Sequence, residues 1–184
     1  MESNPWIIKG EKPYYNNPWI MVTEYAVLNP AGNEGIYGKV HFKNTAVGVM
    51  ALDGELNTYL VGQYRFALNS YSWEIPEGGV PLGEDPLAGA KRELEEETGL
   101  RAANWQPLLQ MHLSNSVSDE LAIVYLATGL TQHEAEPEET EQLVTRKLAF
   151  EDAYQMVEDG VITDSMSVAA ITKIKLLLVQ GKLK

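Results

Sequence analysis

The chain opens with short blocks in which apolar and polar residues alternate, the period expected of strands rather than helices. Two near-copies, Asn4-Pro5-Trp6-Ile7-Ile8 and Asn17-Pro18-Trp19-Ile20-Met21, each predict a turn followed by a strand, because Asn-Pro favours extended or turn backbone. Partial alternation from Trp19 to Val27, the turn Asn29-Pro30-Ala31-Gly32-Asn33, and a second run from Ile36 to Phe42 predict an N-terminal antiparallel hairpin. Ala46 to Leu52 is apolar nearly throughout, which predicts a central strand covered on both faces. A turn over Asp53 to Asn57 separates it from the strand Tyr59 to Tyr64, and Trp73-Glu74-Ile75-Pro76 then leads into a glycine-rich loop beginning at Gly78.

Beyond that loop the period changes. Asp85 suits an N-cap, Pro86 the first helical position and Gly99 a C-terminal stop, so a helix is predicted from Pro86 to Thr98. At about 100° per residue, Glu93, Glu96 and Glu97 share one face of it, while Glu95 points away. Leu87, Ala90, Leu94 and Leu100 remain to anchor the helix in a core. Arg92, one turn before Glu96, is placed to hydrogen-bond a carboxylate and relieve part of the repulsion.

Trp105 to Met111 predicts another strand, Leu113 to Glu120 a polar loop, and Leu121 to Leu126 a buried strand. The stretch from His133 to Leu143 is the most acidic of the chain and reads as an exposed loop before a strand Leu143 to Leu148. A helix over Phe150 to Glu158 ends at Asp159-Gly160, and Asp164 caps a last amphipathic helix from Ser165 to Val179. The whole pattern predicts an α/β protein with a mixed sheet between helices and an added N-terminal β region, residues 1–44, ahead of the main domain, residues 45–184.

Composition narrows the chemistry. A formal net charge of -12 over 184 residues argues against a protein that tracks nucleic-acid phosphates. Without cysteine there is no disulfide, thiolate metal site or thiol nucleophile, and His41, His112 and His133 share no ligand spacing. The N-terminus has no basic region followed by an apolar run, and no apolar stretch approaches the roughly 20 residues that span a bilayer, so a cytoplasmic location is expected. Three carboxylates within one and a half turns destabilise a helix unless a cation lies among them, and hard oxygen ligands select Mg²⁺ or Mn²⁺. The plainer alternative is a solvated acidic helix face.

Spacing decides between them. Gly78, Glu84, Arg92, Glu93, Leu94, Glu96, Glu97, Gly99 and Leu100 fill every specified position of G-x5-E-x7-R-E-U-x-E-E-x-G-U, with U aliphatic, and so the stretch resembles the signature box of the Nudix hydrolases. The N-terminal hairpin, Val61-Gly62-Gln63-Tyr64-Arg65 and Trp73-Glu74-Ile75-Pro76-Glu77-Gly78 are similar to the branch that hydrolyses ADP-ribose and nucleoside diphosphate sugars. That resemblance implies the Nudix α/β/α sandwich and a homodimer in which the N-terminal sheet crosses to the partner. It also implies cleavage of a nucleotide sugar into a nucleoside monophosphate and a sugar phosphate. Metal ligation falls to Glu93, Glu96, Glu97 and the backbone carbonyl of Glu77, and a general base to Glu139 or Glu141 on the acidic loop.

Further expectations concern the substrate. Arg65 is a candidate for a phosphate or for a structural ion pair, Glu120 for lining the site or for solvent, and Trp19, Tyr25 and Trp73 for stacking on the base or for buried packing. One departure stands out: the branch has alanine where this chain has Glu77, which adds a carboxylate beside the metal. Two other readings compete, a Nudix hydrolase of dinucleoside polyphosphates or nucleoside triphosphates, and a non-catalytic sensor of ADP-ribose or a sugar nucleotide. Against the sensor, all box glutamates are present and there is no basic helix-turn-helix segment.

Overall fold

A computed structural model describes residues 3–133 and 143–183. Among the described residues the strands form two sheets. The first contains β1 (Ile7–Asn16), β2 (Ile20–Leu28) and β3 (Glu34–Phe42), paired antiparallel in the order β1-β2-β3. The predicted hairpin is therefore the β2–β3 part of a three-stranded sheet. Between the two near-copies, β1 is a full strand, although every one of its residues is exposed and no buried face marks it in the sequence.

The second sheet comprises β4 (Asn44–Leu52), β5 (Asn57–Arg65), β6 (Ser70–Glu74), β7 (Glu77–Pro81), β8 (Leu100–His112), β9 (Leu121–Gln132) and β10 (Val144–Ala149). Its main order is β10-β5-β4-β9-β8, with β6 beside β5 and β7 beside β4. The β4–β9 pair is parallel and the others are antiparallel, so the sheet is mixed, as the pattern predicts.

Helix α1 (Pro86–Thr98) covers one face, and α2 (Phe150–Glu158) and α3 (Ser165–Val179) cover the other. The two-residue period of β4 feeds both layers: Val47, Val49 and Ala51 pack toward α1, while Met50 and Leu52 pack toward α2 and α3. Strand β9 repeats the division, with Tyr125 and Ala127 on the α1 side and Ala122, Val124 and Leu126 opposite. This is the α/β/α sandwich expected from the sequence.

Two boundaries differ from expectation. The stretch after Pro76 is not simply a loop, because Glu77–Pro81 pairs with Asn44 to Gly48 as β7. Glycine-rich composition hides a strand whose partner lies far off in sequence. Strand β8 starts at Leu100, directly after the helix stop, rather than at Trp105, and its pairing with β9 runs to Gln132.

Candidate active site

The caps set the position of α1. Asp85 Oδ1 accepts from Leu87 N at 3.1 Å, Pro86 occupies the first turn, and Gly99 at φ 70° ends the helix with its N–H on Glu95 O. Buried Ala90 and Leu94, with half-buried Leu87, fix the rotation of the helix against the sheet. Its C-terminal carbonyls are held as well: Glu97 O accepts from Thr145 Oγ1 at 3.1 Å, Thr98 O from Gln132 Nε2 at 3.0 Å and Gly99 O from His133 N at 2.7 Å. Sequence reasoning missed Thr145 and Gln132 because their role depends on pairing across 48 and 34 residues.

That rotation brings two box carboxylates against the start of β7. Glu97 is 5% exposed, and its Oε2 accepts from Glu77 N at 3.0 Å. Glu93 lies over Gly78, where a Cβ would stand only 2.2 Å from its Cδ. The box glycine is thus required for close approach. Arg92 Nη2 donates to Glu93 Oε1 at 2.9 Å and Nε lies 3.6 Å from Glu96 Oε2. Glu95 points away from this face and pairs with Arg101 instead. Glu84 sits exposed in the turn before α1.

The donor set suits a hard divalent cation. Two carboxylates converge on the backbone of Glu77 and Gly78, and Glu96 follows on the same helix face. Among the described residues no three acidic or histidine side chains close around an ion by themselves. A hard divalent cation is commonly held by one or two carboxylates together with substrate phosphates.

Beside the box lies a cavity of about 510 Å³ lined in part by Trp19, Arg65, Glu74, Glu77, Glu120 and Asp164. Arg65 clasps Glu74 through Nε and Nη2, at 2.9 and 2.6 Å, and Nη2 also reaches Glu77 Oε1 at 2.9 Å. Burial works against its charge, but the Glu74 hydrogen bonds and the surrounding carboxylates push its pKa above the usual arginine value. Burial, with the negative charges of Asp164 and Glu74, pushes the Glu77 carboxyl well above the usual range against the pull of Arg65. Burial also raises Glu120.

Of the substrate candidates, the fold brings Arg65, Trp19 and Glu120 to this cavity. Trp19 is 64% exposed, so buried packing is not its role. Tyr25 instead lines a separate cavity on the N-terminal sheet with Trp6, Tyr37 and Lys39. Trp73 is half-buried, edge-on to Tyr71 and under Arg146, away from the cavity beside the box. Glu139 and Glu141 lie outside the described residues.

His41 pairs with Asp119 and His112 with the Glu120 carbonyl, so neither joins the box carboxylates. Asp119, bonded to Lys39, His41 and Phe42 N, ties the loop carrying Glu120 to β3. Glu74 and Asp164 were overlooked as cavity residues, the first read only as part of a strand exit and the second only as a helix cap. It does cap α3, accepting from Ser167 N at 2.7 Å.

Comparison with known proteins shows the family and the fold. A NUDIX domain matches residues 42–165. The ADP-ribose pyrophosphatase of Mycobacterium tuberculosis is 37% identical over 130 residues, covering 68% of this chain and 62% of that protein. That of Bacillus subtilis is 34% identical over 133 residues, covering 71% and 72%. The methanol dehydrogenase activator of Bacillus methanolicus is 36% identical over 133 residues, covering 71% and 72%. A crystal structure described as an ADP compounds hydrolase superposes over 100% of both chains with a TM-score of 0.86 at 19% identity, which establishes the shared fold. With a complete box presented on that fold and a domain match over most of its length, the chain belongs to the Nudix hydrolases, as a pyrophosphohydrolase grouped with the ADP-ribose pyrophosphatase branch.

Proposed function

We propose that this protein hydrolyses the diphosphate linkage of ADP-ribose or a related nucleoside diphosphate sugar, with a divalent cation, to a nucleoside monophosphate and a sugar phosphate. The observation that carries the reading is the convergence of the Glu93 and Glu97 carboxylates on the Glu77–Gly78 backbone at the rim of a cavity large enough for a sugar or nucleoside. Two relatives along two thirds of the chain carry the name ADP-ribose pyrophosphatase, which supports that substrate over triphosphates or dinucleoside polyphosphates.

In this reading Glu93, Glu96, Glu97 and the Glu77 carbonyl hold Mg²⁺, with Mn²⁺ as a substitute. Such an ion supplies charge neutralisation for the diphosphate and acidifies a water. Arg92 keeps the Glu93 carboxylate turned toward β7. Glu97, anchored at both its carboxylate and its carbonyl, has little freedom to leave that position. Glu139 or Glu141 accepts the proton of the attacking water. Trp19, exposed at the cavity rim, offers a face for a nucleobase.

The N-terminal region, residues 1–44, forms a homodimer contact in this reading. Its support is the exposed apolar side chains of the first sheet, Ile7, Ile8, Tyr14, Tyr15 and Ile36 among them. A cytoplasmic location completes the proposal; among the described residues no helix is long and apolar enough to cross a membrane.

Incubation with ADP-ribose and Mg²⁺, followed by mass-spectrometric identification of products, tests the reading. AMP and ribose phosphate are expected, with activity lost on chelation and restored by Mg²⁺ or Mn²⁺. Intact ADP-ribose after prolonged incubation with either ion would sink it.

A further inference from the structure

The polar loop between β8 and β9 has little core packing of its own. Ser114, Asn115, Ser116 and Val117 are all exposed, Val117 at 46%, so apolar burial does not fix where the loop sits. Yet its two ends, Leu113 and Glu120, line the cavity beside the box. Another part of that lining comes from the first sheet, through Trp19 and Phe42, which are tied together where Lys43 N donates to Trp19 O at 2.9 Å.

What fixes the loop is one face of β3. Tyr37, Lys39 and His41 stand at alternate positions of the strand and so share a face. Tyr37 Oη donates to Ser116 O at 2.6 Å, and both Lys39 Nζ and His41 Nδ1 reach Asp119 Oδ2, at 2.7 and 2.6 Å. Asp119 Oδ1 accepts from Phe42 N at 3.0 Å. The β3 backbone adds two bonds, Val40 N to Val117 O at 2.8 Å and Asp119 N to Val40 O at 3.2 Å. A lone ion pair this exposed would contribute little, but here one carboxylate gathers two side-chain donors and a buried-side backbone donor into a network. Phe42 is itself a lining residue and Asp119 is the neighbour of Glu120, so the Phe42 N–Asp119 bond links the two lining segments directly.

The box is held by other means. Buried Ala90 and Leu94 seat α1 on the sheet, and Thr145 and Gln132 hold its C-terminal carbonyls. None of these residues belongs to the joint between β3 and the loop. Loosening the joint therefore shifts part of the cavity lining while leaving the seat of Glu93, Glu96 and Glu97 in place.

We infer that Asp119 is a positioning residue: it holds the Leu113 and Glu120 side of the cavity in register with the Trp19 and Phe42 side, and so sets the affinity for substrate rather than the rate of the chemical step. The inference rests on the proposed cleavage of a nucleoside diphosphate sugar and assigns part of its binding to a residue that lines neither the cavity nor the box.

Steady-state kinetics of the full chain on ADP-ribose with Mg²⁺, beside hydrogen exchange read by mass spectrometry, test it at a temperature well below the thermal midpoint of each variant. Asp119→Ala is expected to raise KM at least about fivefold while kcat stays within about twofold. Asp119→Asn keeps an acceptor for Phe42 N but gives up the charge, so its KM is expected to fall between the two. Exchange is expected to quicken in peptides covering residues 37–42 and 113–120 and not in those covering 86–98. A structural role alone would lower the thermal midpoint and leave KM where it is. KM unchanged in both variants, or a loss confined to kcat, would overturn the inference and leave the proposed function standing. If Asp119→Ala does not fold, Asp119→Asn carries the comparison, with KM expected at least about twofold above that of the unmodified protein. No cleavage of ADP-ribose by the unmodified protein would overturn the proposed function, and the positioning role with it.

Discussion

Two residues on either side of one close contact carry the strongest expectations for the site. Glu97 is buried, its carboxylate accepts from Glu77 N, and it belongs to the box. Glu97→Gln keeps the shape while removing the charge, and a fall in kcat of at least about a hundredfold in Mg²⁺ is expected, the scale of losing electrostatic or acid-base assistance. Turnover near that of the unmodified protein would remove Glu97 from the metal assignment. On the other side of the contact, Gly78→Ala places a methyl where the Glu93 carboxylate now lies. The far end of Glu93 can swing away, so the fold is expected to survive while the divalent cation concentration for half-maximal activity rises. Circular dichroism beside an Mg²⁺ titration separates the two effects. The box positions of both residues were legible in the sequence because the motif is a matter of local spacing. That Glu77 turns its carboxylate onto Arg65 was not legible, since it depends on β5 and β7 meeting.

At the scale of elements, α1 is a helix whose ends are written locally and whose orientation is not. Asp85, Pro86 and Gly99 specify where it begins and ends, and the predicted span coincides with the observed Pro86–Thr98. Its rotation comes from packing, with Leu94 fully buried among Val47, Val49, Val80 and Ala90. Leu94→Ala is expected to destabilise the protein by about 2–5 kcal/mol in urea unfolding, the usual range for a truncated core leucine. A loss well under that range would mean that the helix is held mainly by its ends. Strand β7 shows the opposite case. Its glycines carry little strand propensity, and only the long-range partner β4 makes it a strand. The β1 strand is similar: no buried face distinguishes it, and its pairing with β2 supplies the order.

At the scale of the whole molecule, one pH-sensitive contact joins β3 of the first sheet to the loop that precedes β9. Asp119 is partly desolvated, which would raise its pKa, but the bonds from Lys39, His41 and Phe42 N outweigh this and hold it down at about 2. A carboxylate depressed in the folded state contributes stability that is present above its unfolded value of about 3.9 and is lost as pH falls toward about 2. Asp119→Asn is therefore expected to lower the thermal midpoint near neutral pH, and the difference from the unmodified protein is expected to close between about pH 4 and pH 2. A difference that stays constant across that window would show that the joint does not depend on the charge of Asp119.

By itself the sequence determined the helix with its caps, the apolar runs that mark β4 and β9 as buried strands, and the box that names the chemistry. Each of these is written in residues a few positions apart, within reach of helical or strand geometry. Only the tertiary structure decided which carboxylates face one another, because those contacts join residues distant along the chain. It sets Glu97 against Glu77, closes Thr145 and Gln132 over the end of α1, and brings Glu120 and Asp164 to the same cavity as Arg65. Charge in that cavity follows from chain packing that no local pattern encodes.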